Sequence, residues 1–493
     1  MSRLSVAIAL AAGAGVWQLL GELGDDRLAA LTAGLALAVC LAIGRWRRGL
    51  SLVSPPMLYL GVFGLFHLGM ALPWALGLYS KDLPAWFLSH RLTPALALVA
   101  LAICCYLAGL LWVRPRDRPS PGPPAGNWTL FSAGVAVALA GGWMLLAGIE
   151  NFGGARFWEA TYGETYRMAQ QFDPRWFGAS FTMIPIGLYL AAAAASPRAT
   201  RWVLWLALPW TAGMFYLGYR GHGLITGLVV FSLARKRGLQ TPRWTQAALA
   251  ALIILSIPVG RELRDQPPGE RSLAGAWEQA RVLEGVVEMG GSLRPLVHTL
   301  VYMAEEPWRG GATYGRSLGR IWPNLSADWA GGGYIALQDL PPNHWLTARA
   351  EPEVFHRHGG LGFSAVAEPY MNFGAPGVVV YFVALGALLG KAAQCCSQRP
   401  AALAAWAMIL GPLLWTTRNS FEVLFRPAAW GLGVVMAAWL CSRLARAAES
   451  GGYSCAYWWR PRRAFIGAPR VASSHGARSA FPIGRPTGGY LNR

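Results

Sequence analysis

Charged residues are scarce in this chain. They make up 14% of its 493 residues, against roughly 25% in soluble domains, which excludes a soluble globular class. The mean hydropathy of +0.34 fits a membrane composition. Acidic groups are scarcer still: 24 Asp plus Glu stand against 43 Lys plus Arg, nearly all of them Arg, for a net charge of +19. In a soluble protein that excess would point to nucleic acid. No polar domain with a basic stripe carries it here, so nucleic acid is not an expected partner, whereas anionic membrane lipid and phosphate are. Cysteine is sparse and never forms a CxxC pair, which excludes a disulfide framework and a zinc or redox pair of that type. The strings GxxxxGK and HExxH are absent, and with them the phosphate-loop and zinc-protease classes. No internal repeat is visible, which weighs against an inverted-repeat transporter.

Long apolar runs are what the chain has instead. A helix crosses the hydrocarbon core in about 20 apolar residues. Candidate spans lie at 4–20, 28–44, 57–78, 92–113, 128–149, 176–196, 202–218, 222–234, 244–260, 373–391, 402–417 and 428–445. The first has only Arg3 ahead of it and no cleavage signal, so it reads as a retained helix. With the N-terminus inside, every inner connection is basic: Arg45 to Arg48, Arg114 to Arg118, Arg198 to Arg201, Arg235 to Arg243, Lys391 to Arg399, then Arg443 and Arg446. The outer connections are mixed in sign. This alternation predicts an all-α integral membrane protein of about 12 transmembrane helices with both ends in the cytoplasm. The expected segments are 1–260 (about nine spans), a large outer loop at 261–372, 373–445 (about three spans) and a basic, disordered cytoplasmic tail at 446–493.

The outer loop is the anomaly. Arg261, Arg264, Arg271, Arg281, Arg294, Arg309, Arg316, Arg320, Arg349 and Arg357 lie in or beside it, with His298, His344, His356 and His358. Outer loops close to spans normally lack cations, and a phosphate-bearing lipid substrate would explain them. Leu273, Trp277, Ala280, Leu283 and Val287 recur at helical spacing, and Leu296 to Met303 is apolar enough to lie on the membrane surface, so short interfacial helices are expected here.

Several residues could carry chemistry. Arg220 sits in a tight glycine turn, Gly218-Tyr219-Arg220-Gly221, where it could snorkel or grip two oxygens of a pyrophosphate. Glu288 to Arg294 places an acid and a base on either side of a glycine break. Arg316 and Arg320 are four apart, where two cations repel unless an anion lies between them. His356 and His358 have the wrong spacing for a helical zinc pair, so no metal is expected, but either could act as a base near neutral pH. The densest string is Gly362 to Gly374, with Glu368, Tyr370 and Asn372 crowding the entrance of a span. A carboxylate buried there must pair with a cation or accept a proton. Arg418, Glu422 and Arg426 form a second charged patch, with Arg418 and Glu422 spaced for an i,i+4 pair.

The string Ala367-Glu368-Pro369-Tyr370-Met371-Asn372-Phe373-Gly374, with Gly377 and the apolar run after it, resembles the signature of the Wzy-type O-antigen and oligosaccharide repeat-unit polymerases. Gly218 to Gly221, Glu288 to Pro295, and Gly311 to Tyr314 leading to Trp322-Pro323 are similar to further parts of that family's pattern. The resemblance spans roughly residues 200–390. It implies a GT-C-like architecture in the bacterial inner membrane. It implies an inverting, metal-independent and cofactor-free transfer on the periplasmic face, from a glycan on undecaprenyl pyrophosphate to a sugar hydroxyl of a new lipid-linked repeat unit. A chain-length regulator protein is an implied partner. Arginines could stabilise the departing pyrophosphate, and a carboxylate or histidine could take the hydroxyl proton. The resulting site has Glu368, His356 and His358 as candidate catalytic groups, and Arg220, Arg261, Arg294, Arg316, Arg320, Tyr370, Asn372 and Arg418 toward the substrate. The alternatives are a ligase moving finished glycan to a lipid A core and, in another class, a flippase or transporter for the same lipid.

Overall fold

Helices occupy every stretch that the apolar runs marked. In the computed structural model they are α1 Arg3–Leu23, α2 Asp26–Trp46, α3 Pro55–Leu68, α4 Leu92–Trp112, α5 Trp128–Asn151, α6 Arg175–Ala194, α7 Ala199–Tyr216, α8 Arg220–Lys236 and α9 Arg243–Arg264. The 261–372 region adds α10 Leu273–Gln279, α11 Val282–Met289, α12 Leu293–Tyr302, α13 Ala312–Gly319, α14 Pro342–Ala350 and α15 Pro352–His356, and the chain closes with α16 Ala367–Gln394, α17 Pro400–Trp415 and α18 Glu422–Gly451. The residues described are 3–80, 83–114, 126–161, 163–165, 175–264, 266, 272–319, 321, 337–356, 359–394 and 399–451, and there is no strand among them. Met1–Arg443 forms one unit and Leu444–Arg493 another; the helical bundle up to Arg443 and the 261–372 region both belong to the first. The 452–493 part of the basic tail lies outside the described residues.

Seven of these helices, α1, α2, α4, α5, α6, α16 and α18, are long and apolar enough to cross a membrane, while α3 and α17 are apolar but shorter. Their surroundings divide them. Within the protein α4 is 89% buried along its most apolar stretch, so it is the central post of the bundle. By contrast α1, α2, α5 and α18 present Ile8, Leu35, Leu139, Trp143, Leu146, Met436 and Leu440 outward. Apolar surface this extensive needs a hydrocarbon solvent.

Glycine sets the closest crossings. A Cβ on Gly109 of α4 would lie 2.0 Å from Val383 O of α16, and one on Gly386 of α16 would lie 2.1 Å from Tyr106 O of α4. In a membrane, close backbone approach of this kind replaces the hydrophobic drive that water would supply. Gly109→Ala and Gly386→Ala should each cost about 1–3 kcal/mol by overpacking, read as a lower thermal midpoint of the purified protein. An unchanged midpoint in both would contradict this packing.

Cations cap helix C-termini on the side that the charge pattern puts inside. Arg48 donates to Val113 O just past α4 at 2.5 Å. Arg237 Nε donates to Ala195 O just past α6 at 2.7 Å, and Lys236 Nζ to Ala392 O in the last turn of α16 at 2.9 Å. Each satisfies a carbonyl that its own helix leaves without a partner and meets the negative end of the helix dipole. The basic inner connections therefore have a packing role beside any role in orientation.

Three local expectations are corrected. The 57–78 run is not one helix: α3 ends at Leu68, and a short turn, Ala71–Ala75, comes after it. Pro73 cannot donate to the helix ladder, and the end of α11 runs through the break, where a Cβ on Gly290 would lie 2.0 Å from Met70 N. The Leu273 to Val287 pattern is split into α10 and α11 because Ala280 and Arg281 are extended; Leu273 and Trp277 face outward while Val287 is buried. Finally, Leu293, Leu296, Val297 and Leu300 do not lie on a membrane surface but are buried in the protein's own core. The apolar stripe of α12 found a partner in the bundle, and protein satisfied it before lipid could.

Candidate active site

The first turn of α16 is built as a separate piece. Ser364 Oγ accepts from Val366 N at 3.1 Å and Ala367 N at 3.4 Å, starting the helix as a capping hydroxyl does. Pro369 falls in the first turn, where its missing N–H is no loss. At Gly374 the backbone turns to φ 66°, ψ −157°, a conformation open to glycine, so residues 367–373 are offset from the long helix beyond it. Ser364 Oγ also lies 2.8 Å from His67 Nε2, which ties this turn to α3.

The 309–313 segment is hydrogen-bonded along that turn. Arg309 N donates to Met371 O at 3.1 Å and Gly310 N to Asn372 O at 3.0 Å. Gly311 N donates to Asn372 Oδ1 at 3.0 Å, and Asn372 Nδ2 donates to Thr313 Oγ1 at 2.7 Å and Glu368 O at 2.9 Å. The Thr313 hydroxyl in turn donates to Glu368 Oε1 at 2.9 Å. The other carboxylate oxygen, Oε2, accepts from Phe421 N at 2.5 Å, at the N-terminal end of α18. Glu368 is thus buried at the meeting point of the large loop, α16 and α18. Tyr314 closes over it: its ring sits edge-on to Phe421 at 5.2 Å. Burial first, then the Glu368 carboxylate and Tyr381, push the Tyr314 phenol upward, so it stays protonated. Tyr370, half-buried, stands edge-on to Trp308 at 5.2 Å.

A second gathering joins the glycine turn to the start of the loop. Arg220, buried in the first turn of α8, donates to Glu288 Oε1 at 2.7 Å and to Ile257 O at 2.8 Å. Arg261 approaches the same Glu288 at 3.8 Å and Glu284 at 3.7 Å. A third gathering lies farther along the loop. Arg294 pairs with Glu351 and donates to His298 Nε2 at 3.4 Å. Arg309 pairs with Glu306 at 2.7 Å, Arg349 pairs with the same carboxylate, and both guanidiniums lie 5.6 Å from the Trp345 ring. His298 is held below its ordinary value, by burial first and then by the Arg294 guanidinium, with Glu351 opposing. It is therefore neutral at neutral pH.

The remaining expected residues are scattered. Arg316 pairs with Asp339. Arg418 lies over the Phe66 ring at 5.7 Å, and its carbonyl accepts from Phe363 N at 2.8 Å. It stands in the turn before α18, so Arg418 and Glu422 do not share a helix and the helical spacing argument does not apply to them. His356 ends α15, exposed, beside Phe355. Arg320, His358 and the Trp322-Pro323 pair lie outside the described residues. Among those described, no three His, Cys, Asp or Glu gather as metal ligands would.

Two strings far apart in the chain, 311–314 and 367–374, thus form one hydrogen-bonded unit, and two others, 218–221 and 288–294, meet through one ion pair. A model of the family described as O-antigen polysaccharide polymerase Wzy matches residues 139–446. The chain belongs to the Wzy polymerase family. No match is found among curated proteins or among solved structures. Both hydrogen-bonded units fall inside the region that the Wzy model covers.

Sequence reasoning passed over Thr313, Glu306, Glu351 and His298 as site residues. Thr313 could have been found, since it stands inside a string already singled out. The partner at Phe421 N carries no side-chain signal at all.

Proposed function

We propose that this Wzy-family protein elongates a surface polysaccharide at the periplasmic face of a bacterial inner membrane. It transfers a growing glycan from undecaprenyl pyrophosphate to a sugar hydroxyl of a lipid-linked repeat unit, with about 12 spans and the 261–372 loop outside. The orientation rests on the uniformly basic inner connections.

The observation that carries the chemistry is the placement of Glu368. Each of its oxygens accepts one hydrogen bond and keeps a second lone pair. Such a carboxylate is held in one geometry yet can still accept a proton. In the proposed step the acceptor hydroxyl gives its proton to Glu368. Its oxygen forms the new bond to the anomeric carbon as the bond from that carbon to the pyrophosphate oxygen breaks. A single displacement of this kind inverts the centre. The pyrophosphate leaves with the bonding electrons, and arginines stabilise that charge without a metal. Arg294, Arg316 and Arg261 are partly exposed and can exchange a protein carboxylate for phosphate oxygens; Arg418 and Arg320 are further candidates for phosphate by residue type, and Tyr370 and Asn372 flank the base. His356 and His358 remain candidates for a second proton carrier. Arg220, buried on Glu288, acts in this reading by positioning the loop. A chain-length regulator would act as a partner.

In a strain lacking the gene, the surface glycan should collapse to single repeat units, and the wild-type chain should restore the ladder. Long chains stranded on the carrier lipid would instead identify a ligase. Each charge-assisted contact to phosphate is worth about 1.5–3 kcal/mol, so Arg294→Ala with Arg316→Ala should shorten the ladder sharply at normal protein level. A complete ladder in that double variant would remove these two arginines from the site.

A further inference from the structure

A cavity of about 410 Å³ lies between α6, α8, α17 and α18. Its cause can be read in the helices. Three of them carry an internal proline on the cavity wall: Pro185 in α6, Pro412 in α17 and Pro427 in α18. Proline removes an i→i−4 hydrogen bond and crowds the preceding turn, which disfavours close packing of neighbours at that point. The wall is mainly apolar, with Phe181, Ile186, Met408 and Trp415 among its side chains. Along α6 it extends from Gly178 to Tyr189, a rise of roughly 16 Å at 1.5 Å per residue. That is about the depth of one leaflet of a roughly 30 Å hydrocarbon core. Asn419, Glu422 and Arg426, by contrast, come from the turn before α18 and its first turns. Phe421, between Asn419 and Glu422, donates its N–H to Glu368. One end of the cavity is therefore polar and adjoins the base, and the rest is mainly apolar, with Thr182, His222 and Thr226 as polar members of its wall, and runs to leaflet depth.

We propose that this cavity seats the isoprenoid chain of a polyprenyl phosphate carrier, with its phosphate end at Arg426 and Asn419. The inference rests on the reading of the protein as an enzyme of lipid-linked glycans. It adds where the lipid is held. A sugar would have to leave water for an apolar wall at leaflet depth, whereas an isoprenoid already resides in hydrocarbon. The guanidinium at the mouth suits the charged end of the lipid.

Gly178 supplies the test. It lines the cavity, and a Cβ there would meet nothing within 4 Å, so the position is open to a side chain. Gly142 of α5 is equally open but lies outside the cavity. The full-length protein in lipid nanodiscs is labelled with a photoactivatable farnesyl phosphate, and the adducts are mapped by mass spectrometry. Adducts are expected within residues 178–189 and 408–427, displaced by undecaprenyl phosphate but not by an equal amount of phosphatidylglycerol. Gly178→Leu should reduce labelling roughly tenfold, about 1.4 kcal/mol of affinity, and Gly142→Leu should leave it unchanged. Adducts elsewhere, or equal displacement by phosphatidylglycerol, would overturn the proposal on the wild-type protein alone, whatever the fate of the variants. Undiminished labelling of a folded Gly178→Leu protein would do the same. Labelling needs no turnover, so the two readings fail separately. A normal ladder in Glu368→Gln would remove the base and leave the cavity, and misplaced adducts would remove the cavity and leave the base.

Discussion

Glu368→Gln is expected to abolish polymer while leaving the protein folded in the membrane. The replacement keeps the volume of the side chain. Its carbonyl oxygen can still accept from Phe421 N, and its amide can donate to the second lone pair of Thr313 Oγ1, with the Thr313 hydroxyl proton turned away from it. What it cannot do is take a proton from the acceptor hydroxyl. General-base catalysis contributes roughly 10²–10⁴-fold, and a loss of that size over successive additions would leave single repeat units. Glu368→Ala should behave differently. It strands the Phe421 N–H and the Thr313 hydroxyl in a buried site, at about 1–3 kcal/mol for each stranded group, so both protein level and polymer should fall. The glycan ladder and the amount of membrane protein are read together. Full-length polymer from Glu368→Gln at normal protein level would refute Glu368 as the base.

Arg220→Ala should act on the fold itself. Arg220 is buried, pairs with Glu288 at 2.7 Å, donates to Ile257 O and packs against Gly260, where a Cβ would lie 2.7 Å from Arg220 Cδ. Removing one partner of a fully buried pair costs about 3–5 kcal/mol; Glu288 is partly exposed and keeps Arg261 at 3.8 Å, so the lower end of that range is expected. Against a typical stability of roughly 5–15 kcal/mol that is a large fraction. The expected result is depleted membrane protein and a much lower thermal midpoint. Arg220→Gln combined with Glu288→Gln should lose less than the sum of the two single changes, with a coupling of about 0.5–3 kcal/mol. If the single variants melt like the wild type and only lose polymer, Arg220 is a ligand of the substrate and not an anchor of the loop.

The basic loop shows how far a sequence pattern reaches. The excess of arginine at 261–357 is plain in the chain. Its pairing is not. Arg294 with Glu351, Arg316 with Asp339 and Arg220 with Glu288 are separated by tens of residues, and no local spacing rule connects them. Arg418 and Glu422 show the opposite failure. Their spacing fits a helical pair, but a turn ends before Glu422, so the rule has no helix to act on. The α12 stripe is amphipathic, as its spacing says, but it is not interfacial. Periodicity reports that a face must be buried, and says nothing of whether protein or lipid buries it.

Apolar runs of near-membrane length determined the helices, because a backbone in hydrocarbon must satisfy its own hydrogen bonds within each segment. That requirement is local, and so it is written locally. The short strings around Glu368 and Gly311 likewise identified the family from the chain alone. Only the tertiary structure decided that Thr313 and the Phe421 amide just before α18 converge on one carboxylate, with Asn372 holding Thr313 in place, and that α6, α8, α17 and α18 leave a cavity whose polar end adjoins it. Those features depend on where distant helices cross, and crossings are set by close approach at glycines and by buried ion pairs, which no single stretch of sequence encodes.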